Sequence, residues 1–112
     1  MATSAVTRRF LTVWSQAVAV LATAVMYVAL AVAAVLILHI ALVVLDANGA
    51  NPIVTAVRRL ADKLVGPFAQ LFTPQDAKQQ VAINYGLAAA VYLAAGGAVS
   101  RGIRLLGGRL VR

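Results

Sequence analysis

The chain has 112 residues, of which 62% are hydrophobic, with a formal charge of +7 and no cysteine. Its mean hydropathy of +0.91 lies well above that of soluble domains, which are roughly half apolar. A soluble fold of this length would struggle to hide so much apolar surface. The missing cysteines exclude disulfides, thiolate metal sites and thiol nucleophiles. The length also excludes a separate aqueous domain of about 100 to 150 residues beside membrane spans.

After Arg8 and Arg9, the stretch from Phe10 to Leu45 carries no charge. It is about 36 residues long, enough helix to cross a hydrocarbon core of roughly 30 Å. Thr7-Arg8-Arg9-Phe10-Leu11 vaguely resembles a twin-arginine signal, and Ala22-Thr23-Ala24 could imitate a cleavage site. Secretory apolar regions are only about 7 to 15 residues, however, so length favours a retained anchor. A helix this long would reach about 54 Å, so part of it is expected to project or tilt. Phe10, Leu11, Trp14, Ala17 and Val18 share one helical face, with Arg8, Thr12, Ser15 and Gln16 opposite. That is an interfacial pattern, in which Trp14 serves as a headgroup-level anchor.

His39 is the only histidine. An ionisable group at such depth raises proton relay or haem ligation. The simpler account is a neutral imidazole satisfied by a carbonyl, water or Asn84. Antiparallel spans would place His39 and Asn84 at similar depths, and the two are expected near one another.

The connecting segment has its own order. Asn51 can cap a helix that opens with Pro52 at its first position. Ile53, Val57, Leu60, Leu64, Phe68 and Leu71 recur at spacings of three and four, flanked by Val54, Ala61, Val65 and Phe72. Thr55, Arg58, Arg59, Asp62, Lys63 and Gln70 fall on the other side. The pattern fits an interfacial helix lying on the membrane, and alternatively a helix packed on the spans. Gly66-Pro67 should break it. Thr73-Pro74-Gln75-Asp76 has the form of a capping box, which predicts that the second long helix starts near Pro74.

That helix contains a second apolar stretch, Val81 to Val99, about the length one span needs. Gly86, Ala90, Ala94, Ala98 and Gly102 recur every four residues and form a small-residue stripe along which another backbone could approach. The first span offers Ala17, Ala24 and Ala31. Packing within the hairpin is the plainer explanation, with self-association or docking on another membrane protein left open. Tyr85 and Tyr92 share a face and could line a ligand groove, but packing or interfacial anchoring is more economical.

Arg8 and Arg9 precede the first span, and Arg101, Arg104, Arg109 and Arg112 follow the second. Arg58, Arg59, Lys63 and Lys78 lie between them. Lysine and arginine near span ends set orientation, so the distribution favours cytoplasmic termini. The basic tail otherwise suits anionic headgroups, and no aromatic interleaving supports nucleic-acid binding. The whole chain, 1–112, reads as a single all-α membrane domain, a two-span helical hairpin. Its parts are a first long helix (10–45), an amphipathic, proline-broken interfacial segment (52–72), a second long helix (74–106) and a basic tail (107–112).

Asn51-Pro52-Ile53-Val54, Arg59-Leu60, Asp62, Leu64-Val65, Pro67-Phe68, Leu71-Phe72 and Pro74 together resemble the connecting signature of the YggT family of small bacterial membrane proteins. The resemblance covers about two dozen residues and the two-span layout, with Asn51, Pro52, Asp62, Pro67 and Pro74 at positions of demanding geometry. The family's usual Asp-Pro is Asp62-Lys63 here, and Gly66, Ala69 and Gln70 replace basic residues, which marks a divergent relative. The resemblance implies a bacterial plasma-membrane protein. It links the chain to a family associated with envelope and division-gene neighbourhoods or osmotic tolerance, and in plastids with cytochrome cofactor assembly.

The sequence shows no paired carboxylates, metal-ligand cluster, nucleophile with a general base or phosphate-binding glycine loop. An enzyme, a bound cofactor and a small-molecule substrate are therefore not expected. The expected partners are the lipid bilayer and either another membrane protein or a second copy. A scaffold or assembly factor for envelope complexes fits best. A small oligomeric channel is the first alternative, although the spans lack the polar stripe an aqueous path needs. An accessory subunit of a respiratory or transport complex is the second.

Overall fold

The computed structural model describes residues 4–110 as an all-helical chain. Helix α1 spans Ala5–Val44, α2 spans Pro52–Val65, a 3-10 segment covers Gly66–Gln70, and α3 spans Ala77–Leu110. Segments Ala5–Val44 and Ala77–Gly108 are long and apolar enough to cross a membrane. The molecule is a rod of 70 × 28 × 17 Å.

Helix α1 begins before the expected Phe10 because Ser4 caps it, its Oγ accepting the Thr7 N–H at 3.1 Å. Arg8 and Arg9 then ride on the first turns, as good helix formers can. At the other end Asp46 N–H donates to Val43 O and Ala47 N–H to Leu42 O. This paired arrangement is the Schellman closure, with Asp46 in the left-handed region at φ 54°. A short polar side chain tolerates that conformation better than most.

The two long helices run antiparallel. Trp14 Nε1 donates to Gly107 O at 3.1 Å, Ser100 Oγ to Ala22 O at 2.8 Å, and the rings of His39 and Tyr85 lie 4.8 Å apart. The buried α1 residues Ala22, Ala29, Ala33, Leu36 and His39 alternate spacings of seven, four and three. This is the seam of a left-handed helix pair. On α3 the facing buried positions include Ala89, Gly96, Ser100 and Gly107.

That seam corrects the expected packing stripe. Ala90, Ala94 and Ala98 are exposed, nothing lies within 4 Å of a side chain built at Gly102, and only Gly86 comes near α1, at Ile40. Ala17, Ala24 and Ala31 are exposed as well. A strict four-residue repeat drifts around the helix, whereas a packed pair needs spacings that average about 3.5. Among the glycines of α3 the tightest contact falls instead at Gly96, against Ala29.

Helix α2 starts as its cap dictates, with Asn51 Oδ1 accepting the Ile53 N–H at 2.8 Å. It ends at Gly66, whose φ of 50° turns the chain before Pro67. Its buried residues are Ala61 and Val65, which join Ala33, Leu36, Tyr85, Ala88 and Ala89 in one core. Burial therefore centres on what was expected to be the flank of the apolar face. Val57, Leu64 and Phe68 are half-buried, while Ile53, Leu60 and Leu71 are exposed, as is Trp14's neighbour Val13. The helix thus has two apolar edges, one spent on the long helices and one facing outward. Its last turn reaches the level of Leu36 and Ala88, so α2 lies obliquely against the pair.

Helix α3 begins at Ala77, not Pro74. Asp76 is the cap, its Oδ1 accepting the Lys78 N–H at 2.8 Å. Thr73 lies outside the helix, next to Phe72, whose backbone bonds the Asn84 side chain. The helix also continues through Gly107 and Gly108 to Leu110, where a basic tail was expected. Gly107 lies against Val18, so packing offsets glycine's poor helix propensity of about 1 kcal/mol. Arg112 lies outside the described residues.

Candidate functional site

The polar groups of α3 converge on the connector. Asn84 is fully buried. Its Oδ1 accepts the Phe72 N–H at 2.9 Å, and its Nδ2 donates to Ala69 O at 2.9 Å and to Phe72 O at 2.7 Å. One amide thereby satisfies three backbone groups of a chain leaving a 3-10 turn, groups that would be costly to bury unpaired. Leu71 N–H closes the same turn onto Phe68 O.

Two tyrosines extend the clasp. Tyr85 Oη donates to Asp62 Oδ1 at 2.6 Å, and Tyr92 Oη donates to Leu64 O at 2.7 Å. Leu64 is in the last turn of α2, where carbonyls have no helical partner. The small residues Ala88 and Ala89 lie between the tyrosines and let α2 approach closely. Asn84, Tyr85, Ala88 and Tyr92 share one face because they recur at three- and four-residue spacings.

His39 and Asn84 are both buried. Asn84 gives its amide to the backbone and not to His39. His39 meets the ring of Tyr85, the next residue along, while Asn84 is consumed by the backbone at 69–72. This turn takes two donated bonds and returns one, which the Asn84 amide supplies and a neutral imidazole, with a single N–H, could not. Beside His39 a cavity of about 180 Å³ opens between Asp46, Val54 and Arg58. Across the loop, Lys78 Nζ lies 2.9 Å from Asp46 Oδ2. Both partners are exposed, so this pair is worth at most about 1 kcal/mol.

Among the residues of the connecting signature, Asn51 caps α2, Pro52 takes its first position, and Pro67 lies in the 3-10 segment. Asp62 receives the Tyr85 hydroxyl. Pro74 sits half-buried in the link to α3. Trp14 spends its indole N–H on Gly107 O and is half-buried. The sequence reading did not single out Thr23, Ser100 or Arg104. Arg104 Nη2 donates to Thr23 Oγ1 at 3.0 Å. A hydroxyl inside the first apolar stretch and another directly after the second were the available signal, since such groups need a partner in apolar surroundings.

Among the described residues no group of three or more His, Cys, Asp or Glu is placed to hold a metal ion. The arrangement clamps one helix onto two others, and its polar atoms are spent on that task. Comparison with protein-family models, curated proteins and solved structures gave no match.

Removing one tyrosine hydroxyl should loosen the clasp without opening the long pair. Tyr85→Phe and Tyr92→Phe each lose one hydrogen bond, worth about 1 kcal/mol, or about fivefold in a local opening equilibrium. Hydrogen exchange should therefore quicken by about that factor in α2. The amides of α1 that face α3 near Ala29 should keep their rates.

Proposed function

We propose that this chain is a non-enzymatic membrane scaffold, a divergent YggT-like hairpin that organises or supports the assembly of other envelope proteins. In this reading α1 and α3 cross a bacterial plasma membrane with both termini cytoplasmic. The uncharged part of α3 between Lys78 and Arg101 supports it, being about 22 residues or about 33 Å long, which matches a hydrocarbon core. The antiparallel pairing matches this slab to the part of α1 between Thr23 and Asp46. Helix α2 then sits at the outer interface, leaning inward, with Ile53, Leu60 and Leu71 turned to lipid.

One observation carries the scaffold reading. The stripe of Ala90, Ala94 and Ala98 is left open by α1, although it offers the smooth surface on which membrane helices pack. The clasp keeps α2 off that stripe. Polar groups in the spans favour a docking face over a channel, because Asn84, Tyr92 and Ser100 are spent on internal bonds.

A photo-cross-linking residue in place of Ala94, activated in native membranes, tests this. The expected product is a covalent adduct with another membrane protein, abolished when Ala98→Leu fills the stripe while the chain stays carbonate-resistant. Adducts with lipid alone would overturn the scaffold. An adduct of two copies, with ion flux in liposomes, would replace it by the channel, and adducts confined to one large complex would replace it by the accessory subunit.

A further inference from the structure

Arg104 lies where α3 passes the first third of α1, and its guanidinium reaches Thr23 Oγ1. Helical side chains lean toward the N-terminus of their own helix, so on α3 they lean toward the middle of the molecule. The charge is therefore carried inward from its own backbone. It arrives beside Thr23 and Ser100, at the edge of the uncharged slab. The chain's only acidic residues are Asp46, Asp62 and Asp76, all at the opposite end. No acidic side chain of this protein can neutralise Arg104 there. At the rim of the hydrocarbon a long arginine side chain reaches for the headgroup layer, where lipid phosphates lie.

Two cavities meet at this arginine. One, of about 220 Å³, lies between Arg104, Trp14, Ser15 and Gly107. The other, of about 290 Å³, runs from Arg104 along Thr23, Tyr27 and Leu30. The first contains a hydroxyl and an indole at headgroup level. The second is an apolar trough whose walls, Tyr27 and Leu30, are exposed. A phosphate with an acyl chain below it matches this sequence of surfaces, and a free anion would leave the trough unfilled.

We propose that Arg104, with the hydroxyl of Thr23, binds the phosphate of an anionic phospholipid whose acyl chain lies over Tyr27 and Leu30. The site rests on the membrane reading above. It is tested on the full chain in nanodiscs of phosphatidylcholine and phosphatidylglycerol at a ratio of about four to one, followed by extraction into mild detergent and native mass spectrometry. The retained ratio of phosphatidylglycerol to phosphatidylcholine should exceed its bulk value by about fivefold, the factor expected for one arginine at the surface. Arg104→Gln should lower that ratio by about the same factor, whereas Arg9→Gln, which removes the same charge elsewhere, should lower it much less.

Equal retention of both lipids, or equal loss in the two variants, would overturn the site. Inorganic phosphate added during extraction at matched ionic strength should not displace the lipid. If it does, the notch belongs to a free anion and the lipid assignment fails. Flotation of the same chain with vesicles in alkaline carbonate reads the membrane placement separately: failure to float removes both proposals, whereas flotation without lipid preference removes only this one.

Discussion

Gly96→Val is expected to force α1 and α3 apart and to cost about 3 kcal/mol or more, as overpacking of a close helix contact does. A Cβ at Gly96 would lie 2.3 Å from Ala29 Cβ, with the Ala29 Cα and the Val25 carbonyl just behind it. A methyl carbon fixed to backbone cannot rotate away, so one of the helices has to shift. Gly96→Ala should already cost about 2 kcal/mol, because the clash outweighs the gain of up to about 1 kcal/mol in helix propensity. Gly107→Ala meets the Val18 side chain at 2.6 Å and should cost less, since part of that contact can readjust. Gly97→Ala meets nothing within 4 Å and should be neutral or slightly stabilising. Unfolding in detergent with rising denaturant orders the four variants. Trp14 is the only tryptophan, and its indole bonds Gly107 across the interface, so its fluorescence reports separation of the pair directly. A Gly96→Val protein as stable as the parent would refute this geometry.

Asn84→Leu should release the connector. The substitution strands the Phe72 N–H and the carbonyls of Ala69 and Phe72, and each buried group left unpaired costs about 1 to 3 kcal/mol. Some of these groups will find water once the turn lifts, so a net loss of about 3 kcal/mol is expected. Asn84→Asp keeps the acceptor for Phe72 N–H but loses both donors and adds a buried charge, so it should be no better. The measurement is limited proteolysis between residues 66 and 76, slow in the parent and fast in both variants. The Trp14 signal should stay unchanged, which separates a freed connector from an opened pair. Resistance of the 66–76 segment in Asn84→Leu would show that packing of Ala61 and Val65 alone holds it.

Hydrophobic run length, caps and breakers are local properties, and they were legible in the residues. The two long apolar helices follow from the charge-free stretches, and the helix at Pro52 follows from Asn51, whose side chain caps it as its type demands. The break at Gly66-Pro67 is equally local, since glycine supplies the positive φ and proline removes a donor. Asp76 and not Thr73 caps α3, and Thr73 follows a residue whose backbone a distant amide holds. That choice could not be read from four neighbouring letters.

The sequence by itself determined which segments are helical and apolar, because those depend on neighbours a few residues away. Only the tertiary structure decided which faces meet. The regular stripe from Gly86 to Gly102 looked like the interface, yet the pair closes on Gly96 and Gly107, whose neighbours are Ala29 and Val18 from the other end of the chain. Asn84 serves the backbone at 69–72, and Arg104 finds Thr23 across 81 positions of sequence. Small and polar residues take their meaning from the partner they face, and that partner is fixed only when the rotation and register of two helices are set together by packing.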